Sequence, residues 1–135
     1  MSEFVDYLHE VFEDFGPIRS RKMFGGHGIY YNDIMFGLVA DDELYLKTDN
    51  VSVKLFEERN QSPFEFVARN KIAKMSYYLA PEEIYDDPEQ AVYWAELGFQ
   101  AALRASELKI KRAESAMVKK QGAKKKKVVT KKIKK

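Results

Sequence analysis

The 135-residue chain has no cysteine and only two histidines, His9 and His27. Without thiols, disulfides, thiolate metal sites and cysteine nucleophiles are excluded. Neither histidine has a second histidine at ligand spacing on its own predicted element, so no metal site is expected. No apolar run approaches the roughly 18 to 20 residues of a membrane span, which argues against a membrane role. The start, Met1-Ser2-Glu3-Phe4, is acidic and lacks the basic flank of a secretory signal, so a cytoplasmic location is expected. Glycine is sparse but concentrated. Gly26-His27-Gly28 has the opening of a dinucleotide fingerprint, yet Tyr31 stands where the third glycine would be and no helix follows. Phosphate binding needs that helix N-terminus behind the loop, so the run reads as a hairpin and no cofactor is expected. The acids Glu82, Glu83, Asp86, Asp87 and Glu89 mark helix starts, where they offset the helix dipole, rather than paired catalytic carboxylates. No nucleophile with a base is found, and an enzyme is not expected.

What is present is a globular composition, 45% hydrophobic and 13% aromatic, with its charges segregated. All 21 Asp and Glu fall within residues 1–118 beside 13 Lys and Arg, a formal charge of 13 − 21 = −8. Residues 119–135 carry the remaining ten basic residues, all lysine, and no acid. The organisation expected is a folded domain over 1–117 and a lysine-rich tail over 118–135, extended and disordered through self-repulsion.

Along the chain, Ser2 can cap a helix that buries Phe4, Val5, Leu8, Val11, Phe12 and Phe15 on one face and stops at Gly16-Pro17. Four short strands follow: Ile18 to Phe24, Gly28 to Tyr31, Ile34 to Ala40 and Glu43 to Thr48. Gly25-Gly26, Asn32-Asp33 and Asp41-Asp42 supply the turns, because these residues accept positive φ. The first strand alternates poorly, with Arg19, Arg21 and Met23 on one side and Ile18, Ser20 and Lys22 on the other, which places it near a sheet edge. Asp49 or Asn50 caps a short helix to about Glu58 with Val51, Leu55 and Phe56 inward. Phe64 to Arg69 and Ile72 to Ala80 form a second hairpin, in which Met75, Tyr77 and Leu79 alternate with Ser76 and Tyr78. A helical turn over Glu82 to Tyr85 precedes a last helix, started by the capping box Asp87-Pro88-Glu89-Gln90 and ending near Ala113. Its apolar face, which includes Trp94, Leu97, Gly98, Ala101, Ala105 and Leu108, is wider than one sheet contact requires. That surplus makes it a candidate homodimer interface. Tyr7, Tyr30, Tyr31, Tyr45, Tyr77 and Tyr78 could in principle stack bases, but the charges nearby are mixed and most are assigned to core or interface. The fold class is thus α+β: a mainly antiparallel sheet of about five to six strands in the order α-β-β-β-β-α-β-β-α, packed with N- and C-terminal helices.

A set of motifs then stands out: Arg21-x-Met23-Phe24-Gly25-Gly26-x-Gly28-Ile29-Tyr30, Met35-Phe36-Gly37-Leu38, Leu44-Tyr45-Leu46-Lys47, Met75-Ser76-Tyr77-Tyr78-x-x-Pro81 and Trp94. In this order they resemble the N-terminal domain of the TfoX (Sxy) family of bacterial competence regulators, over about residues 3 to 112. The resemblance implies an α+β domain and a transcriptional co-activator that works with a sequence-specific DNA-binding regulator. It supplies no catalytic set. Arg21, Met23, Phe24, Gly25, Gly26, Gly28, Tyr30, Phe36, Gly37, Tyr45, Tyr77, Tyr78 and Trp94 are read as the family's structural motif. Family regulators with that role carry a second, C-terminal domain, where this chain has the lysine tail.

The expected function is a non-enzymatic regulatory protein whose body binds a protein partner, a DNA-binding regulator being the candidate. Its tail would hold nucleic acid without sequence preference through Lys119, Lys120, Lys124, Lys125, Lys126, Lys127, Lys131, Lys132, Lys134 and Lys135. The alternative is a protein-binding adaptor or chaperone-like dimer with no nucleic-acid role.

Overall fold

The computed structural model describes residues 3–23, 25–68 and 71–133, with side chains over 3–23, 25–65 and 76–118. The predicted strand at Phe24, the hairpin tip at Arg69-Asn70, the Met75 side chain and the tail residues Lys134 and Lys135 lie outside these. The chain divides into two units, 1–103 and 104–135.

In the first unit, α1 (Glu3–Val11) leads into β1 (Arg19–Met23), β2 (Gly26–Tyr31), β3 (Ile34–Ala40) and β4 (Glu43–Lys47). After α2 (Val53–Glu58) come β5 (Pro63–Ala68) and β6 (Lys71–Leu79), a 3-10 turn at Glu82–Tyr85, and the start of α3 (Pro88–Ile133). The six strands form one antiparallel sheet in the order β1-β2-β3-β4-β6-β5. This is the expected α+β class, and β1 is an edge strand as its poor alternation indicates.

The tight turns follow from residue chemistry. Asn32 and Asp33 have φ of 50° and 63°, and Asp41 and Asp42 have 52° and 59°. Two successive positive-φ residues match the right-handed twist of the strands they join, and Asn and Asp tolerate that region best after glycine. At the first hairpin only Gly25 (φ 76°) stays in the turn. Gly26 belongs to β2 instead. A Cβ there would stand 2.1 Å from the carbonyl oxygen of Val39, so the backbones meet where only glycine fits.

Helices and sheet enclose one core. Leu8 and Phe12 from the α1 region, Phe56 from α2 and Trp94, Ala95 and Phe99 from α3 pack with Ile29, Phe36, Val39, Leu44 and Leu46. The sheet reaches this core partly through a bulge. Ile29 pairs with Gly37 but Tyr30 pairs with Met35, leaving Phe36 as the extra residue. Two successive residues of β3, Phe36 and Gly37, therefore face the helices, against simple alternation. Phe36 is fully buried, with the rings of Phe15 at 5.4 Å and Phe12 at 6.1 Å.

Several expectations are corrected. α1 ends at Val11, and Phe12 and Phe15 reach the core from the turn that follows, closed by Gly16 N–H donating to the Phe12 carbonyl at 3.0 Å. α2 begins at Val53: Asp49 Oδ1 accepts from the N–H groups of Val51 and Ser52, ordering a turn ahead of the helix. That turn carries Val51 outward, to 69% exposure, rather than into the core. At α3, Asp87 Oδ1 accepts from Glu89 N–H, but Gln90 does not close the capping box. Its Oε1 takes the Trp94 indole N–H at 3.1 Å, satisfying a buried donor that the box would have left alone.

The second unit is helical, and α3 continues to Ile133, well beyond the expected end near Ala113. The backbone of residues 119–133 is part of this helix. Ala, Lys and Gln are good helix formers, Gly122 is the single glycine of residues 119–135, and no proline interrupts them. Leu108, Ile110, Met117 and Val118 are exposed on this part of the helix.

Candidate interaction surface

The sheet has a second face, turned away from the helices, and much of the sequence motif lies on it. Ladder partners share a face, and alternate residues of a strand do too. Arg21 pairs with Gly28, Gly28 with Leu38, and Leu38 with Tyr45. The row continues from Tyr45 to Leu79, with Lys47 paired to Tyr77 one step along. A Cβ on Gly28 would meet Met35 Sδ and Tyr30 Cε1 at 3.1 Å and Met23 Cε at 3.2 Å, so these side chains close over the glycine. Leu38 and Tyr77 are 5% and 8% exposed without belonging to the helix-side core. The face thus has its own apolar floor.

Cations sit over its rings. The Arg21 guanidinium carbon is 6.0 Å from the Tyr30 ring centroid, and Lys47 Nζ is 5.2 Å from that of Tyr77. Lys47 also donates to Ser76 Oγ at 3.0 Å. Tyr45 packs edge-on to Phe64 at 5.0 Å and donates its hydroxyl proton to Glu43. Burial pushes the Tyr77 phenol up to about 12, and nearby Tyr30 adds to the shift. The Tyr45 phenol is raised by burial and then by the Glu43 carboxylate. Both hydroxyls stay protonated at neutral pH.

This face ends at β1, whose residues Arg19, Ser20, Arg21 and Lys22 are all exposed. Arg19 meets Asp33 at 3.4 Å, with both side chains largely in solvent.

The motif residues consequently separate into two groups. Arg21, Met23, Gly28, Tyr30, Tyr45 and Tyr77 come together on the outer face. Phe36, Gly37, Tyr78 and Trp94 belong to the helix side. There the Tyr78 ring lies 6.0 Å from Phe56, and Trp94 packs on Phe56 at 4.9 Å with the Arg59 guanidinium 5.6 Å from its ring. Arg59 also pairs with Glu83. Gly25 and Gly26 shape the first hairpin. His27, expected in a turn, lies in β2 opposite Lys22 and Val39, and His9 is exposed on α1. Sequence reading missed Leu38 and Lys47 as members of the outer face. The usable signal was the pairing of Leu38 with Gly28, which only strand register reveals.

Elsewhere, a cleft of about 220 Å³ is lined by Tyr7, Glu10, Val11, Glu13, Asp14, Ile84, Tyr85, Asp86 and Pro88. Tyr7 and Tyr85 stack there at 6.0 Å, and burial, with Tyr7 as neighbour, pushes the Tyr85 phenol up to about 12. Among the described residues no group of three or more His, Cys, Asp or Glu is placed to hold a metal ion. Among them, too, no helix is long and apolar enough to cross a membrane. The backbone of residues 119–133 is described, while the side chains of the tail lysines lie outside the described residues.

An antiparallel sheet with three helices over one face and a cation-rimmed second face defines an α+β domain of the type the motif implied. Residues 10–102 match the model of the TfoX N-terminal domain, and the chain belongs to that family. It is similar to the DNA transformation protein TfoX1 of Aliivibrio fischeri, at 35% identity over 78 residues. That alignment takes in 55% of this chain and 37% of the relative, so the chain spans little more than a third of that protein's length.

Proposed function

We propose that this chain is a non-enzymatic regulatory protein of the TfoX type, acting in the control of DNA-transformation genes. Its folded body binds a protein partner, a DNA-binding regulator, and its lysine-rich segment tethers the pair to DNA. One observation carries this reading: 13 basic against 21 acidic residues over 1–118, and ten lysines without an acid over 119–135. The acidic body is repelled by a polyanion, while the segment attracts it as a row of point charges that read no sequence. The name of the Aliivibrio fischeri relative supports the link to DNA transformation.

The test is a titration of duplex DNA with the full chain and with a variant whose ten tail lysines are replaced by glutamine. If six to ten lysines reach phosphates, affinity falls by about 10³ to 10⁵ between 50 and 200 mM salt. The glutamine variant loses binding. Binding by the variant that differs between DNA sequences would instead assign recognition to the body.

The exposed Leu108, Ile110, Met117 and Val118 on α3 favour a second reading, an adaptor that dimerises through this helix without nucleic acid. Absence of DNA binding together with a concentration-dependent dimer in sedimentation equilibrium selects it.

A further inference from the structure

We propose that β1 is a docking edge for an extended acidic segment of a protein partner, which adds to the sheet as a further strand. The inference deepens the reading of the body as a protein-binding module and rests on it. β1 closes one end of the sheet, and its residues Arg19 to Lys22 are all exposed. An edge strand directs alternate N–H and C=O groups outward, which is the template an added strand uses.

Charge selects the occupant. From residue 15 to residue 32 the chain holds Arg19, Arg21 and Lys22 and no Asp or Glu, although acids outnumber bases over the body as a whole. The β1–β2 hairpin is therefore a cationic edge on an anionic domain. A second copy of β1 paired antiparallel would set these cations against one another, which disfavours self-association through this edge. A segment with acids at alternate positions would face Arg19 and Arg21 across the new ladder. Both are available for exchange. Arg19 meets the solvent-exposed Asp33 at 3.4 Å, a pairing that water screens. The Arg21 guanidinium carbon lies 6.0 Å from the Tyr30 ring centroid, and the residue is exposed on β1. Nucleic acid could use the charges but not the backbone edge.

The experiment uses the full chain and a degenerate octapeptide pool with Asp or Glu at alternate positions. Hydrogen exchange is read at the β1 amides. An N-methylated pool of the same composition serves as control, because it keeps the charge and cannot form a ladder. The expected result is slowed exchange at alternate β1 amides with the first pool alone. Affinity should weaken about tenfold or more in the double variant Arg19→Glu with Arg21→Glu. A pool with Lys at the alternate positions should restore binding to that variant. Equal binding of both pools, no protection in β1, or the same protection from oligothymidine would each overturn the proposal. The double variant should keep the salt-dependent DNA binding of the parent chain. Failure at β1 with that DNA binding intact removes the docking edge alone, whereas loss of DNA binding from the unaltered chain removes the broader reading.

Discussion

The two faces of the sheet solve different problems with similar residues. Toward the helices, Phe12, Phe36 and Phe56 are fully buried and Phe15, Tyr31 and Phe99 interlock, with Tyr31 and Phe99 rings 5.0 Å apart. Away from the helices, Leu38 and Tyr77 make a smaller floor, and Arg21 and Lys47 lie over tyrosine rings. Stability is concentrated on the first face. The second combines packing with charge at its rim, as a contact surface does. Burial alone does not separate the helix-side core from the outer face. The partners of a buried ring do.

The contrast can be broken most sharply at two nearby positions of β3. Phe36→Ala should cost about 3–5 kcal/mol in chemical denaturation, since a fully enclosed ring leaves a cavity that its neighbours cannot fill. Leu38→Ala, on the outer face, should fall at the low end of the Leu→Ala range, about 2 kcal/mol. Equal losses would mean that the outer face is a second core rather than a surface.

Glycine substitutions sharpen the same comparison. Gly26→Ala forces a Cβ into the Val39 carbonyl, a backbone group that cannot step aside, and should cost about 1–3 kcal/mol in the same assay. Gly98→Ala, on the helix side, meets Leu46 Cβ at 3.3 Å and the Phe36 carbonyl at 3.4 Å. There a gain of up to about 1 kcal/mol in helix propensity opposes mild crowding, so thermal unfolding should barely move.

Tyr77 supplies a pH test of the outer face. Its folded phenol is pushed up to about 12 from an ordinary value near 10. The neutral form is the one favoured by folding, so its contribution is complete below the unfolded value and is lost as pH rises from 10 to 12. The loss should be on the order of 2 kcal/mol, and Tyr77→Phe should reduce the alkaline slope in denaturant midpoints measured across that window. Tyr85, raised in the same direction, contributes a parallel decline that the variant retains.

The smallest effect belongs to the start of α3. Asp87→Ala removes the acceptor of the Glu89 N–H and should cost about 1 kcal/mol, visible as a lowered melting temperature without change in either face.

The order of elements, the hairpin turns and the edge position of β1 were legible in the sequence because each is a local matter. Positive-φ residues at Asn32-Asp33 and Asp41-Asp42, the Asp87-Pro88 helix start and poor alternation in β1 all act within a few residues. The outer face was legible only as a string of motif residues, Arg21, Gly28, Tyr30, Tyr45 and Tyr77, with no sign that they meet. The chain alone determined the strands, their turns and the separation of charge between body and lysine segment. Tertiary structure decided that Phe36 turns inward at a bulge, that Val51 turns outward, and which tyrosines share a surface with Arg21 and Lys47. The inward Phe36 and the shared tyrosine surface depend on which residue opposes which across the ladder, where the bulge shifts the register between Ile29 and Tyr30, and the outward Val51 depends on the turn that Asp49 orders ahead of α2.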